Sequence, residues 1–219
     1  MKIYYPKKQH LYSIIMLHGM YCDNCSFDDL VIKIQKINQH VKIILPNAPI
    51  RDIDWPEGKE KDVNSWYNYF TRKDGELEHD IIDKAHYNEE SDKIKKLIEE
   101  ESTYINYSNI ILLGESQGGT IVSKLALETK NQIGAFILID SVFMDNILIS
   151  NVKYPNIYIY SSENDEVYTV ELQKNSVKNL RLEDYIVKWY IDKGVNHCDC
   201  GPGRDIFILD IVDTLFKIQ

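Results

Sequence analysis

Cysteine is scarce in this 219-residue chain. Its four, Cys22, Cys25, Cys198 and Cys200, are too few to staple a domain of this size, so a disulfide scaffold is not expected and reduced thiols are. Positive charge is also in deficit. Lys and Arg number 25 against 34 Asp and Glu, giving a net charge of -9 and a pI near 5.2. That balance argues against general binding to nucleic acid phosphates or anionic lipid surfaces. No apolar run approaches the roughly 18 residues of a membrane span. Met1 to His10 is polar and charged where a secretory signal would be apolar. The expectation is a soluble cytoplasmic protein with no integral membrane association. Internal repeats and low-complexity linkers are missing too, so one domain over residues 1–219 is expected, with 44% hydrophobic residues to build its core. The 15 tyrosines accompany an abundance of Ile, Lys and Asn, a compositional bias that deprives any single Tyr or Asn of weight.

What is present alternates. Short apolar runs at Ile14 to Leu17, Val41 to Leu45, Ile110 to Leu113, Ala135 to Ile139, Ile157 to Tyr160 and Ile186 to Ile191 read as buried strands of a mostly parallel sheet. Helical periodicity falls between and after them. Ser26 to Gln39 carries Phe27, Leu30, Val31, Ile34 and Ile37 on one face, with Ser26 as a candidate cap; Glu89 to Ile105, Gln117 to Thr129 and Arg204 to Ile218 follow. Alternating strands and helices predict an α/β fold with helices on both faces of the sheet. The segment from about residue 46 to 87, rich in Pro, Gly, charge and aromatics, breaks the alternation and reads as a loop excursion at the strand ends, where ligands of such sheets bind.

The strongest chemical signal is Gly114-Glu115-Ser116-Gln117-Gly118-Gly119, set between a strand and a helix that starts at once. A tight strand-to-helix turn forces its central serine into a strained conformation and leaves no room for side chains two residues away, hence the glycines. Ser116 becomes the candidate nucleophile. The helix N-terminus behind it, with the N–H of Gln117, can stabilise an oxyanion. A serine needs a base, and His197 lies just past the last apolar strand. The acid orienting that base should precede it after an intervening strand; Asp165 is preferred, with Glu163 and Asp140 as rivals. In Leu17-His18-Gly19-Met20, the N–H of Met20 is the second candidate oxyanion donor, while His18 braces the loop. Met20, Trp66, Phe143 and Val167 are candidate substrate contacts, with a packing role the equal alternative for Trp66, and Glu76, Glu78 and Asp80 a candidate acidic rim.

With Leu17-His18-Gly19, Leu45-Pro46-Asn47-Ala48-Pro49, Ser65-Trp66-Tyr67, Gly114 to Gly119, Asp165-Glu166-Val167 and Gly194 to His197 in place, the sequence from about Ser13 to Ile218 resembles the phospholipase/carboxylesterase family of α/β-hydrolases, which includes the acyl-protein thioesterases. The resemblance implies an α/β-hydrolase fold, a Ser116, Asp165, His197 triad, an oxyanion hole of the Met20 and Gln117 amides, and no cofactor or metal. It implies a small ester or acylated thioester substrate, including S-acylated protein and lysophospholipid. There are departures: Tyr21 stands where that family carries a second glycine, and Glu115 replaces a commonly apolar neighbour of the nucleophile. Two other readings exist. The thiols of Cys22, Cys25, Cys198 and Cys200 could converge on a metal or redox centre, and the fold could persist as a binding module whose chemistry has lapsed.

Overall fold

A computed structural model describes residues 1–144, 156–182, 185–199 and 201–216. Its strands are β1 (Lys2–Tyr4), β2 (Tyr12–Leu17), β3 (Val41–Leu45), β4 (Ile50–Trp55), β5 (Gly58–Asn64), β6 (Ile110–Glu115), β7 (Ala135–Ile139), β8 (Ile157–Asn164) and β9 (Val187–Asn196). Its helices are α1 (Asp28–Ile37), α2 (Lys84–Ser102), α3 (Gln117–Glu128), α4 (Val170–Leu182) and α5 (Pro202–Leu215). The apolar runs pair into a seven-stranded sheet of order β1-β3-β2-β6-β7-β8-β9. β1 is antiparallel to β3, and the remaining neighbours are parallel.

Side chains alternate across each strand, and the two faces take different helices. Ile15, Leu17, Leu112, Leu138 and Ile159 pack with α2, α3 and α4 through Ile94, Ile98, Ile121, Val122, Val177 and Leu180. Ile14, Met16, Leu113, Ile137 and Tyr160 face the other way, against Leu30, Val31 and Ile34 of α1 and Ile208, Ile211 and Val212 of α5. Each such aliphatic side chain contributes about 1.5–3 kcal/mol by leaving water. After β2 the chain crosses to β3 on one side, then returns to place β6 on the other. The carboxyl ends of β2 and β6 therefore flank a topological switch point, where a crevice opens.

Several expectations need correction. Ser26 does not cap α1: Phe27 holds the N-cap position with no side-chain bond, and the Ser26 N–H is spent in a turn onto Asp23 O at 3.2 Å. α2 begins at Lys84, ahead of Glu89, because the Asp83 carboxylate caps the N–H groups of Ala85 and His86. The excursion is not wholly loop. β4 and β5 form an antiparallel hairpin, turned at Gly58 with φ of 143° and pinned by buried Ile53 and Val63. β1 and α4 add to the elements that the apolar pattern predicts. The helix expected to reach Ile218 is described to Leu215, and Ile218, like Cys200, lies outside the described residues. No described helix is long and apolar enough to cross a membrane.

Candidate active site

Ser116 sits between β6 and α3 with φ of 50° and ψ of -119°, a left-handed conformation costing a non-glycine residue about 1–3 kcal/mol. Its surroundings enforce that backbone. Ser116 N–H donates to Ile139 O at 2.9 Å, and its carbonyl accepts from Ser141 Oγ at 2.9 Å and from the Gly119 N–H at 3.0 Å. Glycine is required by space: a Cβ on Gly114 would stand 2.5 Å from Gly118 O, and one on Gly118 would overlap the Leu17 carbonyl. The elbow thus packs directly on the loop after β2.

The chain past β9 brings His197 over this elbow. His197 Nε2 lies 2.9 Å from Ser116 Oγ, and Nδ1 lies 2.8 Å from Asp165 Oδ2. Asp165 Oδ1 accepts the N–H groups of Val167 at 2.9 Å and Tyr168 at 2.8 Å, and its side chain is fully buried. Burial pulls the imidazole pKa down, but the hydrogen bond and charge of Asp165, helped by Asp140 and Glu166, outweigh it, so the net shift is upward. Asp165, rather than Glu163 or Asp140, is the carboxylate on the ring: Glu163 is exposed and accepts the Gly194 N–H at 3.0 Å.

Two residues around this chain have roles that the sequence does not announce. Gln173 of α4 donates to Asp165 Oδ2 at 3.3 Å and Tyr168 O at 2.6 Å, and accepts from Ser161 Oγ. Asp140 is more than a turn residue. Its carboxylate accepts from Ser162 N at 2.6 Å, Ser162 Oγ at 2.8 Å and Cys198 N at 2.9 Å, tying the histidine loop to β8. Burial, then the charge of Asp165, raises its pKa to about 6.

The loop after β2 closes the other side. A Cβ on Gly19 would stand 3.3 Å from Ser116 Cβ, so only glycine lets this backbone lie so close to the hydroxyl without displacing it. His18 is fully buried. Its Nε2 accepts the Ala48 N–H at 3.1 Å, which leaves Nδ1 to donate to Gly19 O at 2.7 Å, and burial lowers its pKa. It braces the loop. Gln117 opens α3, so its N–H belongs to the donors a helix leaves without internal acceptors. Its side-chain amide links Trp66 N, Ser65 Oγ and Tyr67 O to the elbow.

A cleft of about 340 Å³ opens on Ser116 and His197, with Met20, Val167, Trp55, Tyr69 and Tyr168 along its walls. Trp66 and Phe143 are not among its lining residues. Both are buried in the core, and the Trp66 indole N–H is committed to His18 O at 2.8 Å. Tyr21 does line the cleft. It adopts φ of 66°, the conformation a glycine would take freely, and is held there by Asn64 O on its N–H and Glu60 on its hydroxyl. The acidic rim is also revised. Glu76 and Glu78 pair with Lys73 and do not line the cleft. Asp80 does, together with Arg72, whose guanidinium stacks 4.2 Å from the Trp55 ring centroid. Glu115 is buried with its carboxylate 2.8 Å from Arg204 Nη1 of α5, which is how a charge is accommodated beside the elbow. Cys22 and Cys25 are exposed and belong to no group of three or more metal-ligating side chains among the described residues.

The fold has counterparts among solved structures. The chain superposes on Arabidopsis thaliana SOBER1 with a TM-score of 0.80 and 15% identity, over 94% of this chain and 99% of that one. The Bacillus cereus carboxylesterase matches at TM-score 0.78 and 13% identity, over 98% and 93%. Zea mays acyl-protein thioesterase 2 matches at 0.75 and 14%, over 98% of this chain and 97% of that one. At such identities these likenesses speak for the fold, an α/β-hydrolase. No curated protein matches at the sequence level. The family model described as Phospholipase/Carboxylesterase, however, matches residues 1–197, from the first strand through the histidine loop. The chain belongs to the phospholipase/carboxylesterase family of α/β-hydrolases.

Proposed function

We propose that the protein hydrolyses carboxylic esters or thioesters through an acyl-enzyme on Ser116. One observation carries this reading: Ser116 Oγ, His197 Nε2, His197 Nδ1 and Asp165 Oδ2 form a continuous hydrogen-bonded line, at 2.9 and 2.8 Å, on a strained elbow open to a cleft. His197 takes the hydroxyl proton as Ser116 attacks the carbonyl carbon, and Asp165 stabilises the imidazolium. The N–H groups of Met20 and Gln117 receive the oxyanion, aided by the α3 dipole. His197 then protonates the leaving alcohol or thiol. Water, deprotonated by the same ring, releases the acid. The reaction draws on side chains, backbone amides and water alone.

The cleft suits a modest acyl group, lined as it is by Met20, Val167 and the stacked pair Trp55 and Tyr69. Small esters and acylated thioesters, S-acylated protein and lysophospholipid among them, are the substrate class. Each methylene buried there adds up to about 0.8 kcal/mol. A p-nitrophenyl ester and acyl-thioester series of graded length tests this. We expect kcat/KM to rise from acetyl to butyryl or hexanoyl, and Met20→Ala to flatten the rise. A flat or falling parent profile refutes the apolar acyl site, and no turnover of any ester or thioester refutes the hydrolase.

A further inference from the structure

Cys198 follows the proposed base, and no step above uses it. Its backbone takes φ of 53°, and Sγ lies 3.4 Å from His197 Nε2. Asp140 reaches the same point from the end of β7. One ligand atom from each of Asp140, His197 and Cys198 lies within 4.8 Å of the other two. We infer that this trio is an inhibitory site for Zn²⁺, which closes over the His197 lone pair that Ser116 needs. The inhibition rests on His197 being the base, whereas the binding does not.

The donor set is zinc's own: a thiolate, an imidazole and a carboxylate, with one position left open. The spacing agrees. Tetrahedral zinc with ordinary bond lengths holds its sulfur and nitrogen ligands about 3.6 Å apart, against the 3.4 Å found between Cys198 Sγ and His197 Nε2. Asp140 would have to close by up to about 1.5 Å from the 4.8 Å bound, a movement within reach of a side-chain rotation. The second layer is also in place. His197 Nδ1 is bonded to Asp165, the carboxylate–imidazole pairing that fixes the tautomer of metal-bound histidines and directs Nε2 at the ion. Asp140 is steadied by Ser162 and the Cys198 N–H.

Charge favours a cation here. Asp140 and Asp165 are buried against Cys198 and His197, whereas Glu115 and Arg204 offset each other. On binding, the S–H bond breaks, its proton leaves to solvent and an S–Zn bond forms; Asp140 and His197 donate lone pairs, and nothing is oxidised or reduced. Ser116 Oγ lies 2.9 Å from the same Nε2, so a metal there and the serine proton compete for one lone pair.

Metal-free protein is titrated with ZnCl₂ alone while p-nitrophenyl butyrate hydrolysis is followed, and separately with Co²⁺ alone while absorption is followed. Micromolar Zn²⁺ should suppress hydrolysis, and EDTA should restore it. Co²⁺ should give a thiolate-to-metal charge-transfer band in the parent and equally in Ser116→Ala, where no hydrolysis is measured. Cys198→Ala and Cys198→Ser leave the other three cysteines in place. Both should keep hydrolysis, lose the band and need at least about tenfold more Zn²⁺ for equal inhibition. Equal zinc sensitivity in the Cys198 variants overturns the site, as does a parent with no thiolate band. A persistent band in a parent that hydrolyses nothing would instead place the failure in the proposed reaction.

Discussion

Asp165→Asn isolates the role of the carboxylate because the shape barely changes. Asp165 Oδ1 accepts two fixed backbone donors, Val167 N–H at 2.9 Å and Tyr168 N–H at 2.8 Å. Oδ2 accepts the His197 ring at 2.8 Å and Gln173 at 3.3 Å. An asparagine has one oxygen to offer. The backbone donors cannot turn away, whereas the imidazole can move its proton, so the amide oxygen settles on Val167 and Tyr168 and its NH₂ faces His197. The ring must then accept at Nδ1 and carry its proton on Nε2, pointing at Ser116. That tautomer cannot take the serine proton. In serine proteases built on the same triad, this change costs about 10⁴-fold in kcat, or about 5.4 kcal/mol of barrier. The expectation here is a loss of about 10³ to 10⁴-fold with KM little changed. The assay is steady-state hydrolysis of a p-nitrophenyl ester, with Glu163→Gln as control, since that exposed side chain accepts from the Gly194 turn and not from the His197 ring. A loss under about tenfold in Asp165→Asn, or a larger one in Glu163→Gln, refutes the assignment.

The upward shift of His197 sets the pH profile: the base must be neutral, so kcat/KM should fall with decreasing pH around a midpoint above the ordinary 6.5, and a midpoint at or below 6.5 contradicts the Asp165 coupling. Glu115→Ala removes a buried carboxylate partner from Arg204; a loss of about 3 kcal/mol is expected, lowering Tm by about 6–12 °C. Thermal melts check this, and the double change Glu115→Leu with Arg204→Leu should recover most of it.

Legibility follows how strongly each feature is written in local chemistry. The Gly114 to Gly119 run announces its turn because Gly114 is demanded by contacts within the same few residues, although Gly118 and Gly119 answer to Leu17 and Ser141 across the elbow. The central strands show because burial on both faces makes them uninterrupted apolar runs. β9 reads as ending at Ile191 because it lies at the sheet edge, where most residues from Lys188 to Asn196 are not buried and carry polar groups. α4 buries Leu172, Val177 and Leu180 amid Lys, Asn and Gln, too sparse a stripe to read. Without α4, Gln173 has no position from which to meet Asp165. Trp66 stays ambiguous for a different reason: an indole in an excursion reads equally as ligand contact or packing, and its commitment to His18 O, which decides for packing, comes only from tertiary folding. Tyr21 reads only as a departure at a glycine position until its bonds to Asn64 and Glu60 show what holds it.

The central claim is that Ser116 is an activated nucleophile, and labelling by a fluorophosphonate tests it most directly, since only a serine with a working base and oxyanion hole reacts quickly. Intact-mass spectrometry of the parent should show one adduct, mapped by peptide sequencing to Ser116, and none on Ser116→Ala with an unchanged circular dichroism spectrum. A folded parent that stays unlabelled, or a label carried by any other residue, would contradict the account.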